Sequence, residues 1–313
     1  MKNECNDYVV VIGAANIDVQ GLSENKLVLE DSNPGKIVIS SGGVGRNIAE
    51  NMARLGVATK LITVIGSDPY SKNMVEECKN CSIDMAHSLV IDGMSSPMYL
   101  SILDSNGDMK LALCDNQILE SMTQEFIKNK HQIIDNATIV LLDTNLPQEI
   151  LKYIADTYKH KLLFIDTVST KKALKIKDFI GSFNTLKLNR LEAEALSGIK
   201  IADYKDLPKL TAYFTEKGVK NTFITLGEDG VFYGKNANTK LQPTPKVKVI
   251  NATGAGDAFM AALVYARLHN YDLDTTSKFA IGASILALHH ENTINPDMSL
   301  QNINNLLKEL ELC

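Results

Sequence analysis

No stretch of this 313-residue chain approaches the roughly eighteen consecutive apolar residues that a membrane-spanning helix needs; stretches such as 137–142 and 280–288 stop far short. Nor is there an excess of basic residues. Lysine and arginine total 32 against 37 acids, a net charge of −5, which supplies no electrostatic footprint for nucleic acid or an anionic membrane. Neither is expected as a partner, and any anionic ligand must be held by local geometry. Cysteine is sparse and odd in number. Five thiols at 5, 78, 81, 114 and 313 do not make a disulfide framework. Cys78-Lys79-Asn80-Cys81 has no second such pair or histidine pair to complete a zinc site, so it reads as thiols on a helix end and turn. His289 and His290 are adjacent, not at the i, i+4 spacing that aims two imidazoles at one metal. The polar opening, Met1 to Asp7, lacks the apolar core of an export signal, and residence in the cytoplasm is the expectation. Linkers, low-complexity tracts and internal repeats are also missing.

What is present fits a globular enzyme-sized fold: 45% hydrophobic and 22% charged residues. At about 150 residues per domain the length allows two domains, or one large domain with an appendage. Tyr8-Val9-Val10-Val11-Ile12-Gly13 is a continuous β-branched run of the kind found in buried central strands. Similar runs recur at 60–65, 137–142, 162–165, 185–188 and 221–226. Between several of them lie helical patterns: Val44, Ile48, Met52 and Leu55 before Gly56, then 148–158 and 207–217. Strand alternating with helix predicts a three-layer α/β/α domain around a mostly parallel sheet. Two stretches break the rhythm. Residues 36–40 follow the turn signal Ser32-Asn33-Pro34-Gly35, and 98–103 and 109–113 flank a turn at 104–108. They predict a small antiparallel β-sheet inserted at about 19–41 and 95–115, with no helix to cover it. Its bare face predicts a lid, a dimer surface, or both.

The most informative segment is Asn251-Ala252-Thr253-Gly254-Ala255-Gly256-Asp257. Two glycines just before a long apolar helix let the backbone turn tightly and aim several N–H groups at one point. The helix dipole adds positive potential, so this turn can hold a phosphate without a basic patch. Asp257 is out of place in an anion hole unless it has a chemical task. As a general base it would take the proton from a hydroxyl attacking a γ-phosphoryl group, while the N–H groups of Gly254, Ala255 and Gly256 stabilise the transferring charge. An ordinary helix start with an acid near the dipole suits the same residues. The other phosphate cradle, GxxxxGK[ST], is absent, and Gly13-Ala14-Ala15-Asn16 has the wrong spacing for a dinucleotide fingerprint.

Gly42-Gly43-Val44-Gly45-Arg46-Asn47, the 251–257 segment, and Asn189-Arg190-Leu191-Glu192 between them resemble, in kind and order, the motifs of the ribokinase-like, PfkB-type carbohydrate kinase family. The resemblance runs from Val9 to about Pro296. It implies the ribokinase-like fold, ATP with Mg²⁺, and a small sugar or nucleoside as acceptor. The finer form of the motifs narrows it to a branch that phosphorylates the primary 5′ hydroxyl of a nucleoside. Carried over by position, it puts Asn16, Asp18, Gly42, Gly43 and Asn47 on the substrate hydroxyls, and it makes Lys172 or Ser169 the residue that reads the base or sets the pocket's polarity. It puts Lys187, Asn189, Thr225, Gly227, Gly230 and Asn295 on ATP, and makes Asn189 and Glu192 organisers of Mg²⁺ through water. Taken alone, Asn16 to Asp18 also suits an Asx turn, Lys187 and Lys172 suit solvated lysines, and 225–230 suits an ordinary turn. The bare apolar face of the inserted strands adds the expectation of a homodimer through the lid. Asn251 departs from it: the family's ribokinases usually have an aspartate there that helps bind K⁺, so K⁺ activation transfers poorly. Another sugar or nucleoside kinase is the nearest alternative reading. A silent ligand-binding homologue is a remoter one, since Gly254, Gly256 and Asp257 are all present.

Overall fold

Alternate residues of the first strand, Val9–Ile12, divide the interior in two. Val9 and Val11 join one buried cluster with the helices Val44–Arg54, Ala255–Leu268 and Leu273–Leu288. Val10 and Ile12 join the other, with Gln148–Thr157 and Leu207–Lys217. The two-residue period of a strand buried on both faces produces this layering. The structure is a computed structural model that describes residues 7–235 and 238–312. Cys5, Cys313 and the polar opening through residue 6 lie outside the described residues.

The central sheet has nine strands. Asn221–Thr225, Thr185–Asn189, Leu162–Asp166, Ile139–Asp143, Val9–Ile12, Thr59–Ile62 and Ile83–Asp84 lie side by side and parallel. Val231–Lys235 and Asn238–Gln242 extend one edge antiparallel. Chain order runs outward in both directions from the crevice between Val9–Ile12 and Ile139–Asp143. Such a switch point is where open α/β sheets bind ligands, beyond the carboxyl ends of the strands. Among the described residues no helix is long and apolar enough to cross a membrane.

One predicted strand is two. The run 60–65 ends its main-sheet pairing at Ile62 and resumes as Val64–Gly66, paired with Leu89–Ile91 in a separate two-stranded sheet. Thr63 makes the break, its N–H donating to Ser88 Oγ and its carbonyl accepting from Leu89 N.

The inserted sheet has four strands, ordered Gly35–Gly42, Asn16–Ser23, Met98–Leu103, Met109–Asp115. It is mixed, not antiparallel as expected: Asn16–Ser23 and Met98–Leu103 run parallel, since a long connection and not a hairpin joins these two strands. Strand pairing also begins at Asn16, earlier than the expected boundary near 19, so the 16–18 tripeptide lies in a strand and not in an Asx turn. Register places Ile39, Val19, Leu100 and Leu113 in one row, and Ile37, Gly21, Ile102 and Leu111 in another on the same face. Ile37 is 72% exposed and Leu113 60%. The opposite face carries Ser40, Asp18, Tyr99 and Cys114.

Candidate active site

Three neighbouring strands carry a registered row, Asp143 opposite Asp166 and Asp166 opposite Lys187, with the two aspartates at their strand ends. Side chains in such a row share one face at the carboxyl edge of the sheet. Asp143 closes the crevice by accepting from Ala14 N at 2.8 Å and from Asn145 N at 2.8 Å, and burial pushes its pKa up to about 6. Asp166 accepts from Lys187 Nζ at 2.9 Å, with both groups buried. Burial alone would lower the Lys187 pKa; the charges of Asp166 and Glu192 outweigh it and raise the pKa instead. Lys187 is therefore a fixed buried cation, not a solvated surface lysine. Just past Asp166, Val168 has φ 59°, a conformation that β-branched residues seldom adopt and that is concentrated at functional sites.

Facing this row is the start of the helix Ala255–Leu268. Gly254 caps it with φ 85°, and a Cβ there would lie 1.9 Å from the carbonyl oxygen of Thr293. Only glycine fits both the angle and the contact. No side chain caps this helix, so the first-turn N–H groups of Ala255, Gly256 and Asp257 point outward without intrahelical acceptors. A Cβ on Gly256 would sit 2.8 Å from Lys187 Nζ. The ammonium group and the helix N-terminus thus converge, giving two positive sources around one small volume.

Asp257 is half-buried beside them. Burial pushes its carboxyl up to about 7, and the Asp166 charge adds to that; Lys187 and a hydrogen bond from Asn47 pull the other way. Asn47 Nδ2 donates to Asp257 Oδ2 at 2.9 Å, leaving Oδ1 with no hydrogen-bond partner among the described residues. Arg46 backs Asn47: its guanidinium donates to Ser41 O at 3.2 Å and pairs with Glu50 at 2.6 Å. The first helix thereby ties the end of a lid strand to the carboxylate.

Asn16 and Asp18 lie together at the root of the lid, where Asn16 Nδ2 donates to Asp18 Oδ1. Burial lifts Asp18 to about 6, partly offset by the Asn16 hydrogen bond and the Arg46 charge. Gly42 makes room for that carboxylate, since a Cβ there would meet Asp18 Oδ2 at 2.2 Å. Gly43 is the N-cap of the helix bearing Asn47. Lys172 is half-buried and donates to Asn145 Oδ1 at 2.5 Å, and Ser169 starts the short helix Thr170–Ala173.

Asn189 and Glu192 form a capping box, with Asn189 N and Nδ2 both donating to the Glu192 carboxylate and Glu192 N donating to Asn189 Oδ1. Thr167 Oγ1 donates to the same carboxylate at 2.7 Å. Glu192 is 2% exposed, so a metal ion would meet this pair through water. Thr225 ends its strand with Oγ1 donating to Leu188 O, and Gly227 and Gly230 flank a tight turn after it. Asn295 is buried, with Nδ2 donating to Leu286 O and Oδ1 accepting from Asp297 N. Its side chain holds the loop whose Thr293 abuts Gly254. The Cys78 thiol is buried, and burial pushes it up to about 11; it has no reactive character.

Four participants carry no role in the sequence-level reading: Asp143, Asp166, Thr167 and Arg46. The two aspartates have a signal in the sequence, because two consecutive apolar strands each end in one. Their pairing has none, since it depends on strand order.

The model of the pfkB family carbohydrate kinases matches residues 6–299. The chain belongs to this family. It is 39% identical over 306 residues to the pseudouridine kinase of Escherichia coli K12, covering 97% of this chain and 98% of that one. A crystal structure from Clostridium perfringens superposes with a TM-score of 0.86 at 40% identity, over 97% and 96% of the two chains. Arabidopsis thaliana ribokinase, solved with ribose and ATP, shares the fold at a TM-score of 0.83 and 22% identity, over 96% and 99%. As a family member the chain is a kinase of the ribokinase-like α/β class, a phosphotransferase with an alcohol acceptor.

Proposed function

We propose that this kinase transfers the γ-phosphoryl group of ATP to the 5′ hydroxyl of pseudouridine, giving pseudouridine 5′-phosphate and ADP. The substrate assignment rests on the near full-length likeness to the E. coli enzyme. The motif forms Asn16-Ile17-Asp18-Val19, Gly42 to Ala49, Leu188 to Glu194 and Asp166-Thr167-Val168-Ser169 with Lys172 agree with it. The chemistry rests on the unpartnered Oδ1 of Asp257 beside the open helix N-terminus.

In this reading Asp257 Oδ1 takes the proton of the 5′ hydroxyl as that oxygen forms its bond to phosphorus and the bond to ADP breaks. The N–H groups of Ala255, Gly256 and Asp257, with Lys187, hold the charge on the transferring group. Asn189 and Glu192 would orient the water shell of a Mg²⁺ ion held with ATP, which would supply charge neutralisation at the phosphates. Thr225, Gly227, Gly230 and the Asn295 loop border ATP. Asn16, Asp18, Gly42 and Gly43 receive the ribosyl hydroxyls under the lid, which excludes water from the reaction. Lys172 and Ser169 set the polarity at the base. The catalytic unit is one domain with the lid inserted in it, acting in the cytoplasm on a pool of ATP.

Two features extend the proposal. The apolar rows on the outer lid face belong in a homodimer contact between two lids. Asn251 Oδ1 accepts from Thr253 N at 2.9 Å, and its Nδ2 donates to Glu291 O at 2.8 Å. The uncharged amide bridges the two loops directly, with no carboxylate to bind K⁺, and we assign the enzyme no monovalent-cation requirement.

The decisive assay compares ADP formation with pseudouridine, uridine, cytidine, adenosine, ribose and fructose. Pseudouridine is expected to have the highest kcat/KM; a higher value for any other acceptor overturns the substrate assignment and leaves the kinase assignment standing.

A further inference from the structure

At the opposite end of the sheet from the catalytic row is a cavity of about 510 Å³, within the range that encloses small ligands. Leu162, Thr185 and Asn221, the first residues of three adjacent parallel strands, line it. Those strands end at Asp166, Asn189 and Thr225 in the catalytic region. Arg267, in the last turn of the helix whose first turn is the phosphate-binding turn, also lines it. Fourteen residues of helix separate the two ends by about 20 Å.

The lining combines apolar walls with cations. Tyr271, 38% exposed, supplies aromatic surface alongside the buried Phe164 and Phe223. Lys220, Lys235 and Arg267 bring three positive charges, and none of the three has a carboxylate or hydrogen-bond partner for its side chain among the described residues. Asp272 is the only lining acid, and its carboxylate already caps a helix by accepting from Thr275 N at 2.7 Å. Asn184 Oδ1 accepts from Leu163 N, while its amide N–H groups have no acceptor among the described residues. Basic donors around a partly aromatic hollow recognise an anionic group attached to a planar body.

We propose that this cavity is a second ligand site, separate from the catalytic cleft, for a small organic phosphate carrying a planar ring. It is distinct from the acceptor and ATP sites because it opens at the amino ends of the strands.

The test is calorimetric titration of the full chain with uridine 5′-monophosphate, the catalytic cleft being saturated with pseudouridine and a non-hydrolysable ATP analogue. One equivalent per chain is expected to bind. The double variant Lys220→Ser/Arg267→Ser should weaken that binding at least tenfold, with kcat/KM measured without the monophosphate unchanged. Unchanged kcat/KM also certifies folding; if the double variant folds poorly, Lys235→Ser alone should weaken binding several-fold. No binding to the saturated enzyme, equal binding by the variants, or equally strong binding of inorganic phosphate would each overturn the proposal. A failed substrate assignment leaves this result readable, since the variants and not the acceptor locate the site.

Discussion

Asn47 and Asp257, 210 residues apart in the chain, are joined by a 2.9 Å hydrogen bond from the Asn47 amide to Asp257 Oδ2. The bond connects the helix after the first glycine motif to the helix after the second. It also favours the charged form of a carboxyl that burial holds near 7, so in the proposed mechanism it would tune the base as well as orient it.

A base must be deprotonated to act, so kcat/KM should rise with pH and level off above about 7, following the Asp257 carboxyl in the free enzyme. Replacing Asn47 with Ala removes an interaction that stabilises the carboxylate, which raises the pKa and moves the rising limb to higher pH. A pH profile of the Asn47→Ala enzyme with its midpoint unmoved, or moved to lower pH, contradicts this role.

Lys187 neutralises Asp166 at 2.9 Å in a buried setting. Lys187→Met leaves that aspartate uncompensated, a change that costs about 3–5 kcal/mol in other buried pairs. Thermal unfolding should shift down by several degrees, and the KM for ATP should rise in whatever fraction remains folded. A variant with wild-type melting and wild-type ATP saturation would show that Lys187 is spectator to both.

The Asn251 amide holds its two loops with protein hydrogen bonds alone. Turnover with choline as the sole monovalent cation should therefore match turnover in K⁺ within about twofold, and Asn251→Asp should introduce K⁺ stimulation. Strong K⁺ activation of the wild type would refute this account of Asn251.

Ile37 and Leu111 stand on the same outer face of the lid, 72% and 56% exposed. Placing a charge there, as in Ile37→Glu with Leu111→Glu, should convert a dimer to monomer in analytical ultracentrifugation. A wild-type chain that sediments as a monomer at micromolar concentration removes the lid contact from the account.

Much of this architecture was legible in the residue pattern. The β-branched run at Val9–Ile12 and the spacing of Val44, Ile48, Met52 and Leu55 encode local structure directly, and Gly254 to Asp257 encode a phosphate turn through backbone constraints that few residues meet. What local pattern leaves out depends on partners far along the chain. Nothing local marks Met98–Leu103 as running parallel to Asn16–Ser23, or Thr63 as the point where a strand changes sheets. Lys187 reads as a plausible surface lysine until strand order sets it between Asp166 and Gly256. Asn47, matched to substrate hydroxyls by resemblance, is also bonded to the Asp257 carboxylate, a contact no spacing within either motif could reveal.

The most direct test of the central claim is single-turnover kinetics of Asp257→Asn with saturating pseudouridine and ATP. The account predicts phosphoryl transfer slowed by roughly two to four orders of magnitude, with ATP affinity within a few-fold of wild type. Transfer within tenfold of the wild-type rate would contradict Asp257 as the base that takes the hydroxyl proton.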